Sequence, residues 1–67
     1  MFAKLPNGTI LNVEHIVMVS APQTGNKGAR LHVYVIGINT PIEVSGTQQE
    51  IEQLYVALQS KIDQLTP

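Results

Sequence analysis

The fold is decided by residues 47–65, TQQEIEQLYVALQSKIDQL. Ile51, Tyr55, Leu58, Ile62 and Leu65 recur at steps of four, three, four and three, which is one face of an α-helix, and Leu54 widens the stripe. The other face is polar, from Gln48, Gln49 and Glu52 to Asp63 and Gln64. Thr47 followed by Glu50 fits a capping box, in which the threonine oxygen accepts from the residue 50 amide and the glutamate reaches back to the residue 47 amide. Gly46 lets the chain turn just before the helix. Pro67 marks its end, because proline disfavours helix in the residue before it. Val56 falls opposite the apolar stripe, next to Ala57, and is expected to be exposed in a lone subunit. A two-stranded coiled-coil seam would also use this spacing, but the run covers only about two heptads. Packing on the chain's own sheet is the better reading for Ile51, Tyr55, Leu58 and Ile62.

Everything before the helix reads as short strands. Residues 2–5 are followed by Pro6-Asn7-Gly8, a turn signal, and residues 9–13 return to make a hairpin. Asn12 to His15 is polar enough for a bend. Residues 16–21, IVMVSA, are apolar on both faces, with Ile16 and Met18 expected to point one way and Val17 and Val19 the other. Pro22 ends that strand, and QTGNKG (residues 23–28) reads as a mobile polar loop. Residues 29–36 alternate: Leu31, Val33 and Val35 form the expected core face, and Arg30, His32, Tyr34 and Ile36 the other. Residues 41–44 make a last strand, with Pro41 tolerated at its start. The expected class is α+β: a small antiparallel five-stranded meander with one C-terminal helix packed on one face, in a single domain over residues 1–67.

Composition bounds the function. Sixty-seven residues bury only about 60% of their unfolded surface, so a lone core is marginal. The chain has no cysteine, which excludes disulfides and thiolate metal sites and leaves self-association as a remedy. Charged residues are 13% of the chain, against about 25% in ordinary domains, so little is available to solvate an uncovered apolar face. A formal net charge of −1 gives no electrostatic case for nucleic acid or an anionic membrane. No apolar run approaches the roughly 20 residues of a membrane span. Met1 to Leu5 has neither a charged nor an apolar leader region, so a cytoplasmic location is expected.

The candidate site is an interface on the outer sheet face: Val17, Val19, Arg30, His32, Tyr34 and Ile36. Arginine and tyrosine suit interface centres, and the aliphatics would otherwise add exposed apolar area. Other chemistry is weaker. Glu14 and His15 point to opposite faces if their segment is extended, so they cannot act as an acid–base pair. The glycines and lysine of QTGNKG precede a strand, whereas a phosphate loop needs a helix to follow. No catalytic, metal or cofactor-binding residues are expected, and an enzyme is not.

Two stretches resemble known families. Ile36-Gly37-Ile38-Asn39-Thr40-Pro41-Ile42-Glu43-Val44-Ser45, with Glu50-Ile51 beyond, resembles the CsrA/RsmA RNA-binding translational regulators. Their run from the fourth to the fifth strand and into the helix has this form. The resemblance implies five strands, a helix and an interleaved dimer. It also implies an RNA grip built on an arginine, at whose position this chain has Gln48, and on a basic residue where Leu5-Pro6 stands. The first half, through Leu5-Pro6-Asn7-Gly8, Leu11-Asn12, Ile16 and Pro22-x-Thr24, is similar to small FlbD-type flagellar proteins. The expectation is a non-enzymatic homo-oligomeric interaction or adaptor module, most simply a dimer formed by pairing uncovered sheet faces or exchanging edge strands. Another protein is a further candidate partner. The alternative is a CsrA-like RNA binder.

Overall fold

In a computed structural model, which describes residues 1–65, the chain runs through six short strands, a 3-10 turn and one helix. These are β1 (Phe2–Lys4), β2 (Ile10–Asn12), the turn Val13–His15, β3 (Ile16–Val19), β4 (Gln23–Gly25), β5 (Gly28–Val35), β6 (Ile42–Gly46) and α1 (Gln48–Leu65). The class is α+β with antiparallel strands throughout. The five-stranded meander is not what forms. The strands make two sheets: β1 with β2, and a four-stranded sheet in which β5 pairs β3 and β4 along one side and β6 along the other.

The reason for the division lies at residues 13–15. Asn12 caps the 3-10 turn, its side-chain oxygen accepting from the Glu14 amide at 3.1 Å. A turn there reorients the chain, so β2 cannot continue into the ladder of β3. The loop expected at residues 23–28 is also corrected, because Gln23–Gly25 is a strand paired with the start of β5. Only Asn26 and Lys27 are left to make the connection. Neither has a positive φ, and Gly28, paired with Gly25 at the start of β5, takes a positive φ of +128° that a side chain would rarely allow. The β1–β2 turn uses a related device. The Gly8 amide donates to the Leu5 carbonyl at 2.9 Å, and Gly8 has φ of +91°.

The helix starts as its sequence requires. The Glu50 amide donates to Thr47 Oγ1 at 3.1 Å, and the Thr47 amide donates to Glu50 Oε1 at 2.9 Å. The Thr47 amide, and after it the Thr47 side chain, hold the Glu50 carboxylate below its ordinary pKa. The stop expected from Pro67 lies outside the described residues.

The core sits where the helix meets both sheets. Ile51, Leu54 and Leu58 of α1 are buried, and Tyr55 and Ile62 pack at the margin. They meet Ala29, Leu31 and Val33 of β5 and Val44 of β6, all buried. The N-terminal hairpin adds Ala3, Leu5 and Leu11, and the turn adds Val13. No polar or charged side chain is buried among the described residues. Leu65, the last of the expected stripe, is exposed, as is Val56.

Candidate functional site

β5 carries the site because its residues alternate without interruption. Leu31 and Val33 turn into the core, so Arg30, His32 and Tyr34 turn to the outer face of the sheet. Neighbouring strands bring cross-strand partners to the same face. His32 lies opposite Glu43 of β6, and their side chains approach to 3.3 Å, Nε2 to Oε2. Arg30 lies opposite Ser45 on one side and Gln23 on the other.

The parity expected for β3 fails at one residue. Ile16 pairs with Val35 and Met18 with Tyr34, so one extra residue, Val17, is inserted between them as a bulge. Parity reverses across it. Val19, expected on the outer face, pairs with Val33 and packs against the core, as Ile16 does. Met18 takes the outer position instead, opposite Tyr34. The outer face therefore keeps Val17, Arg30, His32, Tyr34 and Ile36 of the expected set, loses Val19, and gains Met18. Alternation counted along the sequence has no signal for a bulge, because the inserted residue is an ordinary valine.

The face has two unlike ends. At the β3 end, Val17, Met18 and Ile36 are 67%, 52% and 65% exposed around a half-buried Tyr34. Beyond them Ile38 is also exposed. At the other end is an open polar groove along the β4–β5 turn and the start of the helix, where Lys27 and Arg30 lie with Glu43 and Glu50. At this helix start the Thr47 and Glu50 amides are taken up by the capping box, which also sets the Glu50 carboxylate where an anion would approach.

Between β3 and β4 the ladder is repaired by a side chain. The Ser20 amide donates to the His32 carbonyl at 2.9 Å, and the His32 amide donates to Ser20 Oγ at 2.9 Å. Both main-chain groups of His32 are satisfied across the break before Pro22.

Glu14 and His15 are both exposed and lie in the 3-10 turn, so the extended geometry that would separate them does not apply. The His15 carbonyl accepts from the Ile36 amide at 2.9 Å, a structural use. Among the described residues no three His, Asp or Glu side chains gather as metal ligands would. No helix among them is long and apolar enough to cross a membrane. No family model, curated protein or solved structure matches the chain.

Proposed function

We propose that this chain is a non-enzymatic homo-oligomeric interaction module whose outer sheet face is a subunit contact. The observation that carries the reading is the exposure of Val17, Met18 and Ile36 around Tyr34, on the face opposite the helix. Burying each such side chain fully is worth about 1.5–3 kcal/mol. The chain has few charges to keep that surface in water instead. A cytoplasmic location and a further protein partner belong to the same proposal.

The charge pattern favours this over a CsrA-like RNA binder. Lys27 and Arg30 share their groove with Glu43 and Glu50, and Lys61 lies at the hairpin, donating to the Phe2 carbonyl at 3.4 Å. A phosphate-binding stripe needs cations without interleaved carboxylates. The test is the mass in solution of Tyr34→Glu, which places a charge in the centre of the patch. Light scattering should give an oligomer for the wild type and a monomer for the variant, with a lower melting temperature. A variant that keeps both its mass and its melting temperature rules out this face. Salt-sensitive binding of single-stranded GGA-containing RNA would favour the alternative.

A further inference from the structure

The two edges of the four-stranded sheet are finished differently. Along β3 and β4 the row of main-chain groups is interrupted by the bulge at Val17, by the gap between the strands and by Pro22. These are the usual devices for blunting an edge. Along β6 the register with β5 is unbroken from Ile42 to Gly46, and no proline or bulge falls within it.

The direction of the β6 groups follows from His32. Its amide and carbonyl both point to Ser20, on the β3 side of β5. Alternation turns those of Leu31 and Val33 toward β6, where Val44 and Ile42 are their partners. Glu43 and Ser45 therefore direct their amides and carbonyls away from the sheet. Nothing else among the described residues hydrogen-bonds to them.

We propose that this edge pairs with β6 of a second copy of the chain, antiparallel, about a two-fold axis at Val44. In that register Glu43 faces Ser45 of the second copy, and Ser45 faces its Glu43. The residues with outward main-chain groups on one copy thus meet those on the other, donor to acceptor. An axis at Glu43 would instead put two carboxylates directly opposite.

Charge gives the same answer. Across the joined outer face the row runs Arg30, Ser45, then Glu43 and His32 of the second copy. Two strand spacings separate the Arg30 and Glu43 backbones by roughly 10 Å, within the combined reach of the two side chains. Ser45 between them is too short to block the approach. On the core face, half-buried Ile42 comes beside Gly46 of the second copy, where the Glu50 side chain lies over the glycine. This contact uses the backbone of β6, so it is independent of the outer-face contact around Tyr34 and goes beyond it.

The test is sedimentation of the full chain from low to high micromolar concentration. Ser45→Pro removes one outward amide per chain and spares the ladder to β5, because the Ser45 amide does not point there. It should keep the wild-type melting temperature when both are dilute. It should raise the dissociation constant at least about 30-fold, since symmetry removes two hydrogen bonds. Glu43→Arg should also weaken pairing, and adding Arg30→Glu in the same chain should restore it. Amide exchange at Glu43 and Ser45 should slow as the chain is concentrated. Full pairing by Ser45→Pro, failure of the charge swap, or a wild type that stays monomeric overturns the proposal. So does exchange that slows only when an unrelated extended peptide is added. Association lost in Tyr34→Glu but kept in Ser45→Pro overturns the edge contact and leaves the face contact standing.

Discussion

Along β5, residues adjacent in sequence live in different surroundings. Leu31 and Val33 are fully buried beneath the helix, whereas His32 and Tyr34 between and beside them are half-exposed and Arg30 is in solvent. The helix covers one face of the larger sheet, and no element among the described residues covers the other. The difference places the stability of the fold on the core face and leaves the outer face in solvent.

The largest test of this contrast is Leu31→Ala. It should cost about 3 kcal/mol in urea unfolding, through lost burial and the cavity left in a packed core. Tyr34→Ala, measured where the chain is dilute, should cost well under half of that. Equal losses would erase the distinction between the faces.

Gly28→Ala comes next, at about 2 kcal/mol, because a side chain there needs a rare backbone region. The added carbon would also run into the Gly46 carbonyl at the end of β6. Gly25→Ala meets no atom within contact distance and serves as the control. A similar loss in both would mean that the β4–β5 turn is not held by Gly28.

Thr47→Ala should cost about 1 kcal/mol, the usual loss of a helix cap. The pH dependence follows from Glu50. Its pKa is lowered in the folded chain by its hydrogen bonds to Thr47, so its contribution is present above the ordinary carboxylate value. That contribution disappears as pH falls through the lowered value. In Thr47→Ala this acid-side loss should be smaller than in the wild type, as read from melting temperatures across the acid range.

The smallest expected effect is the most diagnostic for the bulge. Met18→Gln should leave monomer stability within about 0.5 kcal/mol and weaken association. Val19→Gln should unfold the chain more readily, because Val19 packs against the core. The reverse order would restore the uninterrupted alternation that the sequence suggests for residues 16–21.

What was legible in the sequence was what a local pattern carries. The helix face, the Thr47–Glu50 cap, the N-terminal hairpin and the alternation of β5 each follow from residues a few positions apart. That alternation puts Arg30, His32, Tyr34 and Ile36 on the outer face. For Val19 the same count gives the wrong face, since its direction depends on how β3 registers against β5 across the Val17 bulge. The strand at Gln23–Gly25 was hidden by its glycine-rich composition, because its pairing uses backbone groups and a tight turn. The division into two sheets rests on the turn at Val13–His15, where a polar bend was legible but its consequence for pairing was not.

The separation of the N-terminal hairpin from the larger sheet has a kinetic consequence. Strands β3 to β6 and the helix pair with or pack on elements close in sequence, so their contacts close short loops and form early. The hairpin must instead dock against the far end of the chain, as the Lys61–Phe2 contact shows. That closure spans nearly the whole chain, so it is expected to be made late, after the rate-limiting barrier has been crossed. Shortening Leu5 or Leu11 to alanine should therefore speed unfolding and barely change the folding rate, giving φ-values near zero for the hairpin and higher ones for β5 and α1.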